Sequence, residues 1–427
     1  GLASAAAALI TLSTGGSTGR EGPAIHLGAV MASWVSERIR ASGVTARDIL
    51  GCAAAAAVSA SFNAPLAGAL FALEVVLRHY ALHAFGPIVL SAVAGAIVSR
   101  IHLGNITEFH LPADSVEFYW EIPAFFLLGT VSGVIAVMMM RGIFVAERIA
   151  NWVQDRLTIP HWLRPAIAGA VLGLIALKFP HIIGVGYETT RLALTTQLTL
   201  NTAVLFAIIK VLAVAVTFSG RMGGGVFSPA LMVGALSGCA FGTIATSIFP
   251  TISGDESLYA LAGMGAVAGA VLGAPISTTL IVFELTGDFQ VAIAVMIAVA
   301  VASVVADKMA TRSFFLTQLE NQGLKLSSGP QGYLAATVPV IGLLRVSDPR
   351  ATPELCHEMH QQGLSLKSSA TLNTALPMFD QTREVFLPVY SSTTNADEPE
   401  FIGAIFRGDA FKAYSAALEA ELREEHS

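Results

Sequence analysis

The chain has 427 residues, of which 54% are hydrophobic and only 13% are charged, and its mean hydropathy is +0.66. Soluble domains carry about 25% charged residues, so this composition predicts an integral membrane protein. A net charge of −6 without a basic block argues against nucleic acid as a partner. Many apolar runs are shorter than the ~20 residues of a spanning helix and are interrupted by Gly-Pro or Ala-Pro, which predicts broken or half-spanning helices.

The chain begins inside an apolar segment, "GLASAAAALITL", which has neither the basic start nor the cleavage site of a signal peptide. We interpret it as lacking an N-terminal portion of the protein. Cys52, Cys239 and Cys356 lie far apart and show no metal-ligand spacing, so no metal site is expected.

A glycine-rich loop follows the first apolar segment. Residues 15–29 read "GGSTGREGPAIHLGA" and place Arg20 beside Glu21. The spacing of the glycines fits neither the dinucleotide fingerprint nor the Walker pattern, and no strand pattern precedes them. A phosphate-binding loop is therefore not expected here.

The membrane part contains two related halves. "GREGPAIHLGA" (residues 19–29) matches "GVFSPALMVGA" (residues 225–235), and "NAPLAGALFALE" matches "GAPISTTLIVFE", which pairs Glu74 with Glu284. Two motifs thus recur in the same order. Membrane proteins with two such halves commonly relate them by inverted topology and bind substrate near mid-membrane, where discontinuous helices meet. The two loops that lead into Pro23 and Pro229 are the predicted site.

Each of these loops precedes a helical apolar run. Proline suits the first turn of a helix, where the free backbone N–H groups and the helix dipole favour an anion. Two such ends meeting in the membrane would hold an anion weakly enough for release. Glu21 is itself an anion, so we expect it to compete for these donors, to leave when protonated, and thus to gate anion passage and carry a proton. The alternative is that Glu21 only caps its helix or pairs with Arg20.

These residues resemble the CLC family of chloride channels and proton-coupled chloride transporters. "GREGP" (residues 19–23) and "GVFSP" (residues 225–229) are similar to two of the family's three pore motifs, and "FNAPLAGALFALE" and "GAPISTTLIVFELTGD" to its later segments. The resemblance covers roughly residues 1–324. It implies an all-α polytopic membrane domain with two inverted halves and broken helices, forming a homodimer with one anion pathway per subunit. The third pore motif, which supplies a serine hydroxyl, would lie upstream of residue 1.

The resemblance also assigns the site residues. Glu21 matches the gating glutamate, and the backbone amides of Val226 and Phe227 match those that line the central anion position. The anion-binding residues that it implies are Gly19, Arg20, Glu21, Gly22, Pro23, Gly225, Val226, Phe227, Ser228, Pro229 and Phe315.

Two positions depart from the family pattern. The pore tyrosine aligns with Phe315, or with Phe314 in an alternative placement, so we expect weaker anion binding, since a charge-assisted hydrogen bond is worth about 1.5–3 kcal/mol. Proton-coupled members often carry a second glutamate directly after the position of Glu74, where this chain has Val75, as in the channel branch. Glu74 is then either a substitute on an internal proton path or a structural helix end. Lys210 is expected to snorkel to an interface or to add positive potential to the path.

The remainder, residues 325–427, has ordinary polarity and predicts a small soluble α/β domain. Strands are expected at "EVFLPVY" and "FIGAIF", and helices at "ATLNTALPMFD" and "DAFKAYSAALEAELREEHS". This part resembles one CBS repeat, with a degenerate partner before it. Asp409 matches the position that contacts ribose in nucleotide-binding CBS domains, but "FRG" replaces the neighbouring Ser/Thr pattern. We expect a dimer-stabilising scaffold without a cofactor, with adenine nucleotide as the weaker alternative.

Taken together, the sequence predicts chloride transport through a pore gated by Glu21, in exchange for protons. The alternative is a passive voltage-gated or proton-gated chloride channel, and a non-transporting membrane scaffold is more remote. An enzyme is not expected, because no clustered nucleophile, base or metal set is visible. The expected partners are chloride, protons, the lipid bilayer and a second copy of the chain. The expected location is the plasma membrane of a bacterium, with the C-terminal domain in the cytosol.

Overall fold

The computed structural model describes residues 2–78, 80, 82–104, 118–250, 253, 255–310, 312–321, 335, 338–346, 348–391 and 400–426. The chain divides into two compact units, residues Gly1–Gln318 and Leu319–Ser427. The domain boundary that the sequence predicts, between residues 324 and 325, falls outside the described residues.

In the described part of the first unit, the regular secondary structure consists of helices joined by loops. Its helices are α1 (Leu2–Ser13), α2 (Glu21–Arg38), α3 (Gly43–Phe62), α4 (Pro65–Phe71), α5 (Leu82–Leu103), α6 (Phe118–Leu157), α7 (Arg164–Lys178), α8 (Tyr187–Leu194), α9 (Leu200–Ser219), α10 (Phe227–Ile248), α11 (Glu256–Leu272), α12 (Pro275–Thr286), α13 (Phe289–Ala310) and α14 (Phe314–Asn321). The division between the units falls inside α14.

Five stretches of the described chain are long and apolar enough to cross a membrane. They are Leu82–Leu103, Glu121–Leu157, Leu200–Ser219, Phe227–Ile248 and Phe289–Asn321. The described chain also contains shorter apolar helices: Leu2–Ser13 and Pro65–Leu77 precede these stretches, and Glu256–Leu272 and Pro275–Thr286 lie between the last two. The expected mixture of full spans and short helices is therefore present.

The two halves of the sequence repeat give helices in the same order. In the first half α2, α3, α4 and α5 follow one another, and in the second half α10, α11, α12 and α13 do so. Both α4 and α12 begin at a proline, Pro65 and Pro275, whose missing N–H has no acceptor in a first turn anyway. At its C-terminal end α4 widens into a π-helical segment, Ala72–Leu77, which ends at Arg78 in the left-handed region.

The core of the first unit is centred on α10 and α11. Nearly every residue of α11 is buried, and most of α10 is buried too. Gly234 and Gly238 of α10 lie against Gly263 of α11 so closely that a Cβ at any of the three would overlap the facing backbone. Small residues let helix backbones approach each other inside a membrane, where packing rather than water exclusion drives association.

The second unit contains a three-stranded sheet in the order β1 (Leu366–Lys367), β2 (Phe386–Tyr390) and β3 (Phe401–Phe406). β1 runs parallel to β2, and β2 runs antiparallel to β3 with a bulge at the end of β2. The helices α15 (Pro353–Gln361), α16 (Leu372–Thr382) and α17 (Arg407–His426) accompany it. All five residues of β2 are buried, which explains why "FLPVY" is apolar throughout. The strands and helices predicted around residues 370–426 are confirmed.

Candidate functional site

The two glycine loops of the repeat are hydrogen-bonded to each other. Gly19 N donates to Gly225 O at 2.8 Å, and Gly225 N donates to Gly19 O at 2.9 Å, which forms an isolated antiparallel bridge. The hydroxyl of Thr18 donates to the same oxygen of Gly225 at 3.0 Å. Because α2 begins two residues after Gly19 and α10 two residues after Gly225, this bridge brings the N-termini of both helices together.

Glycine is required where the two backbones meet. A Cβ built on Gly22 would lie 3.1 Å from Gly225 Cα, and a Cβ built on Gly225 would lie 3.0 Å from Gly22 N. Contacts this short are tighter than ordinary van der Waals contacts, so a side chain at either position would require the facing backbone to move by a few tenths of an ångström. The glycines of both motifs therefore allow the close approach of two helix ends.

Glu21 is the first residue of α2 and lies at this junction. Its side chain is 2% exposed. Oε1 accepts hydrogen bonds from the Ser228 hydroxyl at 2.5 Å and from the Tyr187 hydroxyl at 3.3 Å. Oε2 is buried, has no hydrogen-bond partner among the described residues, and lies so close to Gly19 that a Cβ there would overlap it. Glu21 is thus a buried carboxylate held by a hydroxyl on the first turn of α10.

The neighbouring Arg20 points toward other groups. Its Nη2 donates to the backbone oxygen of Ser61 at 3.0 Å, and its guanidinium carbon lies 5.2 Å from the ring centroid of Tyr187. This is the geometry of a cation–π contact.

A small cavity of about 20 Å³ lies beside Glu21. Its lining includes Glu21, Val58, Phe62, Phe227, Leu272 and Phe315, together with Gly22, Gly225 and Val226. This volume has room for about one water molecule. Of the two placements for the missing pore tyrosine, Phe315 lines the cavity, whereas Phe314 is buried between the rings of Phe144 and Phe218.

The N-termini of α2 and α10 create a favourable environment for a negative charge. The first N–H groups of a helix lack intrahelical acceptors, and the positive end of the helix dipole lies there. The two helix ends meet beside Glu21, and the hydroxyls of Ser228 and Tyr187 donate to its carboxylate, which therefore occupies a place suited to an anion.

The match to known proteins decides the family. Residues 1–307 match the family model described as voltage gated chloride channel. The chain belongs to the CLC family of voltage-gated chloride channels. It is accordingly an integral membrane protein with several spans.

Individual CLC relatives are similar over the same region. The chain is 31% identical over 287 residues to the H(+)/Cl(−) exchange transporter ClcA of Vibrio parahaemolyticus, covering 66% of this chain and 61% of that protein. It is 30% identical over 302 residues to the chloride channel protein CLC-f of Arabidopsis thaliana, covering 67% of this chain and 39% of that one. The chain thus spans less than two thirds of the length of each of these two relatives.

Among solved structures, the fold is similar to that of a slow cyanobacterial Cl⁻/H⁺ antiporter. The TM-score is 0.66 at 24% sequence identity, and the match covers 73% of both chains. The C-terminal unit lies beyond the family match, so its CBS-like character stays a prediction.

Both oxygens of Glu74 are hydrogen-bonded at the start of α12. Oε1 accepts from Ile276 N at 3.0 Å, and Oε2 accepts from Ser277 N at 2.8 Å and from the Ser277 hydroxyl at 2.5 Å. Val75 is half-buried and packs against the apolar core. This is the geometry of a helix cap, one of the two interpretations of Glu74 that the CLC resemblance left open.

Lys210 does not snorkel to an interface, so the first of its two expected roles was wrong. A contribution of positive potential to the anion path stays a prediction. The side chain is fully buried, and Nζ donates to the backbone oxygens of Ile182 at 3.1 Å and Gly184 at 3.0 Å. Carbonyl groups satisfy the ammonium inside the protein, so it gains nothing by reaching the membrane surface.

Tyr187 is the site residue that the sequence did not indicate. It lies 166 residues from Glu21 along the chain and belongs to neither repeat motif. The signal that could have pointed to it is "GVGY" at residues 184–187, two glycines in a short segment immediately before a tyrosine.

In the C-terminal unit, the carboxylate of Asp409 is bound by an arginine. Arg345 Nε donates to Oδ2 at 2.8 Å, and Arg345 Nη2 donates to Oδ1 at 3.0 Å. A ribose would have to compete with this two-pronged contact, and nucleotide binding stays a prediction. Among the described residues, no group of three or more His, Cys, Asp or Glu is arranged to hold a metal ion.

Proposed function

We propose that this CLC protein moves chloride across the membrane along a path between the N-termini of α2 and α10, that Glu21 gates this path, and that chloride is exchanged for protons. One observation carries the proposal. Glu21 is 2% exposed, its carboxylate lies where the two helix ends meet, and it accepts a hydrogen bond from the hydroxyl of Ser228. It occupies the place that suits a permeating anion.

The gate follows from the chemistry of a carboxylic acid. While ionised, Glu21 is a tethered anion that accepts hydrogen bonds from the hydroxyls of Ser228 and Tyr187 and closes the path beside the cavity. Protonation removes its charge and with it most of the attraction to those donors. The side chain then leaves, chloride enters in its place, and the departing acid carries a proton.

Exchange rather than passive flow is supported by a bacterial relative that is named as an H(+)/Cl(−) exchange transporter. A passive channel is the second candidate, and it has its own support. Val75 cannot carry a proton, and both oxygens of Glu74 are engaged at α12. If the protein exchanges chloride for protons, the protons reach Glu21 through water rather than through a fixed carboxylate.

The decisive measurement uses the full-length protein in liposomes under an outward chloride gradient. Potassium and valinomycin clamp the membrane potential while external pH and chloride are recorded. Exchange predicts proton movement driven uphill by chloride, and Glu21→Gln should abolish it while chloride flux persists. Glu37→Gln is the matched control, because it makes the same change at an exposed position near the other end of α2.

The other outcomes are equally clear. Fast chloride flux without proton movement would establish the channel, and Val75→Glu would then be the variant to test for restored coupling. No chloride flux in wild type, with no change on Glu21→Gln, would overturn transport and leave the scaffold.

The proposal also includes the assembly and the location. We place the protein as a homodimer with one path per subunit in the plasma membrane of a bacterium, with the C-terminal unit in the cytosol. The dimer and the side of the C-terminal unit are carried over from the CLC resemblance of the sequence, and the similarity to ClcA of Vibrio parahaemolyticus favours a bacterial membrane. Mass measurement of the detergent-solubilised protein tests the dimer, and protease access to the C-terminus in sealed, oriented vesicles tests its side.

A further inference from the structure

The inference concerns the second donor to Glu21, the hydroxyl of Tyr187, and it rests on the proposed gate. Tyr187 opens α8 and is half-buried, with its hydroxyl 3.3 Å from Glu21 Oε1. The Ser228 hydroxyl reaches the same oxygen at 2.5 Å and is the stronger donor. Oε1 therefore receives donors from two segments, one on α10 and one on α8.

The backbone before Tyr187 is firmly anchored. Lys210 Nζ, on α9, binds the backbone oxygens of Ile182 and Gly184. Gly186 follows with φ +87°, a left-handed conformation that favours glycine. A Cβ there would overlap the sulfur of Met232 and lie 3.4 Å from Lys210 Nζ. The position of the tyrosine is thus set by buried contacts rather than by a free loop.

The ring of Tyr187 has a cationic neighbour. The guanidinium carbon of Arg20 lies 5.2 Å from the ring centroid. A positive charge against the ring draws electron density from the phenol and strengthens its O–H as a donor. Arg20 directly precedes Glu21, so the loop that carries the gate also holds the tyrosine that contacts it.

Few other charged groups approach this carboxylate. α1 and α10 contain no charged side chain. α3 carries Arg47 and Asp48 near its start, whereas its far end lines the cavity. The ammonium of Lys210 is committed to backbone oxygens. Among the described residues, Glu21 accepts hydrogen bonds from the hydroxyls of Ser228 and Tyr187, while Arg20 contacts the ring of Tyr187. The charged residues of α8 itself are Glu188 and Arg191.

We propose that Tyr187 is a positioning residue that holds Glu21 in its closed position and so sets the pH at which the gate opens. Hydrogen bonds donated to a carboxylate favour its charged form. Removing the phenol hydroxyl makes protonation of Glu21 easier, so the gate opens at higher pH. Because the contact is long, we expect a smaller effect than from Ser228.

The test measures chloride efflux from liposomes as a function of pH for the full-length protein. In Tyr187→Phe, the pH at which efflux is half-maximal should rise by about half a unit. At pH values above that midpoint, chloride flux should then be roughly threefold higher than in wild type. Ser228→Ala should shift it further in the same direction. Tyr259→Phe, which removes a buried hydroxyl elsewhere in the same unit, should leave the midpoint unchanged.

A double variant separates a positioning role from a structural one. In a Glu21→Gln background, Tyr187→Phe should change the pH profile no further, because the tyrosine acts through the carboxylate. An unchanged midpoint in Tyr187→Phe, with pH dependence lost in Glu21→Gln, overturns the role of Tyr187 and leaves the gate standing. Wild-type pH dependence in Glu21→Gln overturns the gate itself. If Tyr187→Phe fails to fold, a midpoint that does not move in Ser228→Ala refutes the control of opening by hydroxyl donors.

Discussion

Glu74 and Glu284 cap each other's helices. Glu74, at the C-terminal end of α4, accepts from backbone N–H groups at the start of α12, and Glu284, near the end of α12, accepts from Leu66 N at 3.0 Å and Ala67 N at 2.8 Å at the start of α4. The two helices must therefore lie antiparallel. The sequence repeat pairs the same two glutamates, so the contact joins equivalent positions of the two halves through the carboxylates themselves.

Because the two glutamates cap each other's helices, substituting either one should reduce stability by a similar amount. Glu74→Gln and Glu284→Gln should each destabilise the protein by about 1–3 kcal/mol, since each leaves a backbone donor of a helix start without its acceptor. Thermal unfolding in detergent measures the loss. Each variant serves as the control for the other: a proton-relay role for Glu74 would appear as lost proton movement in Glu74→Gln alone, at unchanged chloride flux.

The close approach of the two glycine loops predicts that added volume is harmful there. Gly22→Ala should lower stability by about 1–3 kcal/mol and weaken the closed state, because its Cβ meets the backbone of Gly225. Gly173→Ala is the control, since a Cβ in that exposed part of α7 meets nothing within 4 Å. It should be neutral or stabilising, as alanine is the better helix former. Equal thermal midpoints for the two variants would contradict the steric account.

The cavity predicts how chloride binding responds to a new hydroxyl. Phe315→Tyr should tighten chloride binding at least about tenfold, because the added donor would reach an anion in the cavity beside Phe315. Calorimetric titration in the Glu21→Gln background removes competition from the carboxylate. Phe314→Tyr adds the same group between packed rings and away from the cavity, so it should lower stability without tightening binding. Tighter binding in Phe314→Tyr only would assign the pore position to that residue instead.

In the C-terminal unit, the hydrogen bonds between Asp348 and two arginines predict that stability depends on pH. Hydrogen bonds from the Arg350 side chain and backbone, with further help from Arg345, hold the pKa of Asp348 well below its usual range. Because the folded pKa is lower than the unfolded value of about 3.9, Asp348 stabilises the unit above that pH and loses this effect as pH falls further. Asp348→Asn should therefore lose stability at pH 7, and its difference from wild type should narrow on acidification to pH 3.

Amide hydrogen exchange in the full-length protein checks this prediction. The amides of Arg345 and Ala404 bond each other's carbonyl oxygens and report on the same part of the unit. Asp380→Asn is the control, because Asp380 forms only an exposed pair with Arg407, and such pairs contribute little. If the difference in stability between Asp348→Asn and wild type were larger at pH 3 than at pH 7, the predicted direction of the pH dependence would be wrong.

Much of the fold could be predicted because the bilayer constrains the sequence strongly. Apolar runs give the spans, prolines and glycines give the breaks, and a repeat of two motifs gives two halves with helices in the same order. The loops at Gly19 and Gly225 were identified from the same repeat, because they are glycine- and proline-interrupted segments in corresponding positions of the two halves. The C-terminal strands were visible in their apolar patterns, whereas the domain boundary predicted at residues 324/325 could not be compared with the described chain.

What the sequence by itself determined is the pair of helix ends and the carboxylate between them, because those features are local. Only the tertiary structure decided which distant groups reach them. Tyr187 approaches Glu21 from 166 residues away, Phe315 rather than Phe314 lines the cavity, and Lys210 turns inward to carbonyl groups. None of these has a signature in nearby residues, because each depends on how separate helices pack. Local sequence shows where the backbone must break or turn, whereas the partners of a buried polar group are fixed only when the helices pack together.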